Sequence, residues 1–234
     1  MQRPDADAPA RVAAEGAVAL ALQLHRRQPA DPDLPRRLLA LRDSPLARAA
    51  PDLGDQIGAL CLWALAEVGD PTAPQLAREL GYLGDVWICG PFDNERGAAL
   101  ARDLPAETGF DRDAMWPGKL RPVGWRRLAD ASALGPIELG AVLQPSDQTA
   151  CLVAVALDAE QDTTAALHLG SAGAFVVRLD GVEVARRDVD RRFAPEQDAV
   201  ALPLRAGANL LTVKFCHQDL DAFTVALRLS AHGG

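Results

Sequence analysis

Apolar residues in the last third of the chain fall on alternate positions. Phe223, Val225, Leu227 and Leu229 alternate with Thr224, Ala226, Arg228 and Ser230, and Leu211, Val213 and Phe215 alternate with Thr212 and Lys214. Cys151, Val153, Val155 and Leu157 make a third row, and Phe175, Val177 and Leu179 a fourth. Successive side chains on a strand point to opposite faces, so each row predicts a strand with one apolar and one wetter face. Lys214 and Arg228 belong to the wetter set. Asp180-Gly181, between two such rows, supplies the positive φ angles of a type I′ hairpin turn. Arg205 to Asn209 predicts another turn. Eight to ten strands spaced this way predict an antiparallel β-sandwich.

Upstream of about Gly84 the period changes. Leu53, Ile57, Leu60, Cys61, Ala64 and Val68 recur at three- and four-residue steps, which predicts a helix over 52–68. Gly69 with Asp70-Pro71 marks its end. A shorter helix is expected over 72–80, closed by Gly81, and two more over 10–27 and 34–43, with Ser44-Pro45 as a further start signal. Short antiparallel helices of this kind form helical hairpins. The fold class expected is therefore α+β by segregated domains, an α-helical region over 1–83 and a β-sandwich over 84–234. No strand pairing is expected before Gly84, and no helix longer than about two turns after it. The stretch from about Asp93 to Lys119 has no sustained period and is rich in Asp, Gly and Pro, so it reads as a long loop, functional or partly disordered.

Composition narrows the classes. A hydrophobic fraction of 49% is enough for a core. The net charge of −8 opposes a nucleic-acid partner, which needs a positive field. Basic pairs such as Arg186-Arg187 and Arg191-Arg192 are broken up by acidic residues and read as a solvated face. No apolar stretch approaches the ~20 residues of a membrane-spanning helix. The N-terminus lacks the basic-then-apolar order of a signal peptide, so the expected location is cytoplasmic if the chain is complete and exported if a leader was trimmed. Cys61, Cys89, Cys151 and Cys216 contain no C-x-x-C pair, which predicts free buried thiols rather than a zinc or redox site. Cys61 and Cys151 fall on apolar faces and Cys216 on a polar one.

Candidate chemistry is sparse. His168, between Leu167 and Leu169, should face outward as a solvated histidine. Cys216 and His217 are neighbours on a predicted strand, point to opposite faces and cannot form a dyad unless the strand ends there. His25 sits at a predicted helix end and His232 in the tail. No G-x-S-x-G elbow, phosphate loop or metal-spaced histidine pair is present, so no enzyme activity and no catalytic residue are expected. The long loop carries Asp93, Asn94, Glu95, Asp103, Glu107, Asp111 and Asp113 together with Trp116. Trp116 could offer a sugar an aromatic plane, with Asp93, Asn94 and Glu107 as polar partners. These four are the candidate ligand-binding residues. Asp93, Asp111 and Asp113 are a weak calcium set whose spacing fits no defined calcium loop, and no other cofactor is expected.

A longer set of motifs carries a resemblance. It begins with Trp87-Ile88-Cys89-Gly90-Pro91-Phe92-Asp93-Asn94, then Pro105-Ala106-Glu107, Gly118-Lys119 and Val123-Gly124-Trp125-Arg126. It continues with Leu167 to Ser171, the Asp180-Gly181 hairpin, Pro195 to Asp198, Leu204 to Leu211 and Val213-Lys214. This order resembles a β-sandwich module of bacterial multidomain proteins that follows tetratricopeptide-like helices and precedes a transglutaminase-like region. The module is similar to the jelly-roll sugar-binding domain of family 2 glycoside hydrolases, within the galactose-binding-like group. The resemblance covers about 84–229, and 64–80 is loosely similar to a tetratricopeptide turn.

Asp180-Gly181 stands where the module usually has Asn-Gly, and Met115-Trp116-Pro117 replaces a common aromatic before Gly118-Lys119. No transglutaminase-like segment is present, so that activity is not carried over. The motifs themselves read as structural: Gly90-Pro91 ends a strand, Phe92 plugs the sandwich edge, and Trp87 and Trp125 anchor the core. The function implied is a non-catalytic binding or scaffolding module of a larger protein or assembly, in contact with a protein partner or neighbouring domain. Alternatives are a carbohydrate-binding module, or an accessory domain of a transglutaminase-like or glycoside hydrolase enzyme.

Overall fold

The computed structural model describes residues 37, 39–41, 44, 54, 57–59, 61, 62, 65, 66, 69–128, 136–194, 196–218 and 222–231. The chain divides into two compact units, residues 1–80 and 81–234. In the first, residues 37, 39–41, 54, 57–59, 61, 62, 65 and 66 are helical, and Ile57, Cys61, Leu62 and Leu65 are buried. Gly69 takes a φ of 66°, as a residue ending a helix does. A helix follows at Ala73–Glu79. Asp70 Oδ1 accepts hydrogen bonds from the Thr72 backbone N–H at 2.8 Å and from its hydroxyl at 2.6 Å, and Pro74 sits in the first turn. The helix expected over 10–27 and the hairpin arrangement of the first unit lie outside the described residues.

The second unit is built of antiparallel β-strands. In chain order these are β1 Val86–Asp93, β2 Trp116–Pro117, β3 Pro122–Val123, β4 Arg126–Leu128, β5 Ile137–Glu138 and β6 Thr149–Ala159. They continue as β7 Thr163–Ser171, β8 Ala174–Leu179, β9 Val182–Arg187, β10 Asp198–Leu204, β11 Gly207–His217 and β12 Thr224–Ala231. One sheet has the order β4-β1-β6-β11-β8-β9 and a second β10-β7-β12-β5, while β2 and β3 pair by themselves. Twelve strands among the described residues exceed the eight to ten expected, because two-residue strands leave no alternation to read. The β8–β9 hairpin turns on Asp180 (φ 49°) and Gly181 (φ 79°), the two positive angles expected there.

The two sheets enclose one apolar core. Cys151, Val153, Phe175, Val177, Leu211, Val213 and Phe215 enter it from the larger sheet. Leu167, Leu169, Val200, Leu202, Phe223, Val225 and Leu227 enter it from the side of the smaller one. In the register, Phe215 lies opposite Cys151 on one side and Phe175 on the other, so the inward rows are in step across three strands.

The other faces differ from expectation. Ala150, Leu152, Ala154, Ala174 and Cys216 point away from this core yet are buried, in a second cluster with Phe92, Ala99, Leu104, Ala106, Val123 and Trp125. The segment after β1 lies across the outer face of the larger sheet as a strap. It contains 3-10 turns at Glu95–Gly97 and Pro105–Thr108 and the β2–β3 pair. Cys216, expected on a polar face, is therefore 1% exposed, and Lys214, expected in water, is 2% exposed. Arg228 is also buried, its guanidinium held by Glu196 at 2.6 and 3.0 Å.

Two boundaries also move. The sheet begins before Gly84: the Leu83 N–H donates to the Leu227 carbonyl at 3.0 Å and the Leu229 N–H to the Gly81 carbonyl at 2.9 Å, bracketing a Tyr82–Arg228 bridge. Gly90-Pro91 does not end its strand. It lies within β1, where the register with β6 shifts between Cys89 and Phe92, and a Cβ on Gly90 (φ 151°) would stand 2.9 Å from Cys151 Cβ. The bulge turns Phe92 onto the strap cluster rather than to the sandwich edge.

Candidate ligand-binding clefts

The loop residues expected to bind ligand are mostly engaged in holding the strap. Asn94 is fully buried: its Nδ2 donates to the His217 carbonyl at 3.0 Å and its Oδ1 accepts the Ala99 N–H at 3.0 Å. Glu107 accepts the Leu104 N–H at 2.9 Å and pairs with Lys214 and with Arg178, each at 2.9 Å. Asp93 ends β1 and lies 3.9 Å from the Lys119 ammonium. Trp116 is half-buried against the strap cluster, and in the same segment Met115 is 63% and Leu120 78% exposed. Asp111 accepts the Asp113 N–H at 3.0 Å in a local turn. Among the described residues no three His, Cys, Asp or Glu side chains are grouped to hold a metal.

Three aromatic rings of this face pack on one another. Phe110 meets Trp87 edge-on at 5.4 Å and Trp125 at 5.0 Å, and the Arg112 guanidinium lies 5.5 Å over Trp87.

Concavity appears instead at one end of the sandwich. A cleft of about 360 Å³ opens between the β7–β8 turn, the β9–β10 connection and the end of β11. Its floor is made of the small residues Ala172, Gly173, Ala174 and Cys216, and its rim of Asp190, Arg191, Arg192, His217 and Gln218. Gly173 makes the floor possible, because a Cβ there would sit 2.0 Å from the Cys216 carbonyl oxygen. The rim is held in place by backbone and side-chain bonds. The Arg191 N–H donates to the Ala172 carbonyl at 2.9 Å, its Nε donates to the Ser171 carbonyl at 3.2 Å, and its guanidinium pairs with Asp198. Gln197 donates to the Arg192 carbonyl at 2.8 Å, and the His217 ring stacks on Phe223 at 4.7 Å.

Burial pushes the Cys216 thiol up to about 12 against the opposing pull of the Lys214 ammonium, so it stays protonated at neutral pH. β11 runs through His217, which keeps the two neighbours on opposite faces. His168 faces away from the core, with Nε2 2.8 Å from Ser230 Oγ. Nothing in the period of the chain marks this cleft. The one sequence signal is the run Asp190-Arg191-Arg192 in a connection, which also reads as a solvated face.

A smaller cleft of about 210 Å³ lies at the β4 side of the larger sheet, lined by Gly90, Pro91, Arg121, Arg126, Val142 and Gln144 among others. Arg126 Nη2 donates across it to the Val142 carbonyl.

No protein-family model matches the chain, and no curated protein matches it. Among solved structures, a β-glucosidase from Kluyveromyces marxianus in complex with glucose is similar at 8% identity and a TM-score of 0.40, over 63% of this chain and 17% of that one. A GH2 beta-galacturonidase from Eisenbergiella tayi bound to galacturonate is similar at 13% identity and a TM-score of 0.37, over 63% and 24%. A family 35 carbohydrate binding module from Clostridium thermocellum is similar at 12% identity and a TM-score of 0.30, over 37% of this chain and 74% of that one.

Proposed function

We propose that the second unit is a non-catalytic carbohydrate-binding module of the jelly-roll, galactose-binding-like kind, serving as an accessory domain in a chain that also carries a tetratricopeptide-like helical region. The end cleft carries this reading. A sugar hydroxyl both donates and accepts, and the rim offers donors on Arg191, Arg192 and Gln218 beside acceptors on Asp190 and Gln218. At about 360 Å³ the cleft sits at the small end of the ~300–1,000 Å³ range of ligand pockets, which suits a short saccharide. Its rigid rim lowers the ordering cost of binding. Calorimetric titration of a saccharide panel tests it. Saturable binding that weakens in Arg192→Ala and Asp190→Ala is expected; a panel that never binds, or variants that bind like the parent chain, would overturn it.

A protein–protein reading rests on a different observation, the exposed Met115 and Leu120 in the strap segment that also carries half-buried Trp116. Under that reading, changing both to Ser abolishes association with a neighbouring domain and leaves saccharide binding intact.

A further inference from the structure

The geometry points to the smaller cleft as a binding site for a single oxyanion, a phosphate or carboxylate group. Its volume of about 210 Å³ lies below the ~300–1,000 Å³ of ordinary ligand pockets, so it suits one compact group rather than a saccharide. Its charge is one-sided. Arg121 and Arg126 line it and no Asp or Glu among the described residues does, on a chain whose net charge is −8. Guanidinium groups bind carboxylate and phosphate oxygens through two parallel N–H bonds, stronger and more directional than neutral contacts.

The cationic wall is also anchored. Arg126 donates one N–H to the carbonyl of Val142, another residue of the lining, and keeps other donors. The Arg121 carbonyl accepts the Gly118 N–H at 3.1 Å, and the Lys119 N–H donates to the Pro91 carbonyl at 2.8 Å, tying the β2–β3 turn to β1 at the cleft floor. Gly124 allows the turn to close, since a Cβ there would lie 2.9 Å from the Ala114 carbonyl oxygen. Gln144 adds a neutral amide to the lining. None of these residues lines the end cleft, so the site is independent of the saccharide reading.

The test titrates the full chain with inorganic phosphate and, separately, with acetate, following backbone amide and arginine Nε–H signals by NMR. Saturable shifts centred on Arg121, Arg126 and Gln144 are expected, weakening as salt rises. Arg121→Gln should lower the affinity roughly tenfold or more, the loss of one charge-assisted contact, and Arg121→Lys should restore part of it. Arg121 is the residue to change because Arg126 also supports the fold. Tighter phosphate binding assigns a phosphoryl group, and equal or tighter acetate binding a carboxylate; both support the site. The proposal is overturned if neither anion gives saturable shifts, if Arg121→Gln binds like the parent chain, or if Arg192→Gln weakens binding as much, which would mean diffuse surface charge. Arg192→Gln also separates the two readings, because it should weaken saccharide binding and leave the anion site untouched.

Discussion

The Lys214 ammonium lies 2.9 Å from the Glu107 carboxylate, and the two side chains are only 2% and 4% exposed. Lys214 comes from the middle of β11 and Glu107 from the strap, so this contact fastens the strap to the outer face of the larger sheet. The ammonium also donates to the Arg102 carbonyl at 2.8 Å, and the second carboxylate oxygen takes Arg178 Nε at 2.9 Å. A charge pair out of water is sustained only when its remaining bonding capacity is filled in this way.

Removing one partner of that pair should therefore be costly. Lys214→Ala leaves the Glu107 carboxylate with Arg178 and the Leu104 N–H but without its ammonium, and a broken buried pair typically costs ~3–5 kcal/mol. Urea melts should show a loss of that order. The double variant Lys214→Met/Glu107→Leu should lose clearly less than the two single losses combined. Losses that simply add would show that the pair is not a coupled unit.

The last strand offers a second comparison. Phe223 is 5% exposed in the inner core, and its replacement by Ala opens a cavity worth ~3–5 kcal/mol. Arg228 lies on the opposite face with its guanidinium on Glu196, which keeps 22% of its own side chain in water. Arg228→Ala should cost ~1–3 kcal/mol, the range for stranding a partly buried polar partner. Denaturant midpoints should rank the phenylalanine variant as the less stable one, and the reverse order would contradict the register of β12.

How much could be read from the chain follows from what a period reports. Alternation tells which residues share a face, and the rows through Phe215, Phe175 and Cys151 all reached the inner core. It does not tell what covers the other face. Lys214 and Arg228 looked solvated because Glu107 and Glu196 come from segments without any period. The clefts were illegible for the same reason, since the end cleft joins residues 172–174, 189–192 and 216–218. Residue type alone, within one loop, singles out the candidate ligand residues. Asn94 and Glu107 have the chemistry to bind ligand, and the fold applies it to its own backbone and to Lys214.

The thiols supply a pH test. Burial pushes Cys89 and Cys216 up to about 12 and Cys151 well above its ordinary value, and all four cysteines are buried and outside any disulfide. A thiol reagent at pH 8 should label the native chain very slowly and react with four groups once it is unfolded. These folded-state values lie above the unfolded one, near ~8.5. Their contribution to stability is thus fully present below that pH and is lost as pH rises toward about 12. A Cys89→Ala/Cys216→Ala variant should show a shallower alkaline decline in its urea midpoint. An identical slope would contradict the assignment.

Gly173 tests the link between the fold and the end cleft. A Cβ at this position would lie 2.0 Å from the Cys216 carbonyl oxygen and 3.1 Å from its carbon, both backbone atoms. The start of β8 and the end of β11 would have to separate, and forcing extra atoms into a packed site costs ~1–3 kcal/mol. Gly181 makes a useful contrast. A Cβ added there would meet nothing within 4 Å, but its φ of 79° penalises any side chain by ~1–2 kcal/mol. Both Ala variants should therefore be destabilised to a similar degree, by clash in one case and backbone conformation in the other. Only Gly173→Ala should also weaken saccharide binding, because only it moves the cleft floor. Equal ligand affinity in the two variants would detach the cleft from the proposed function.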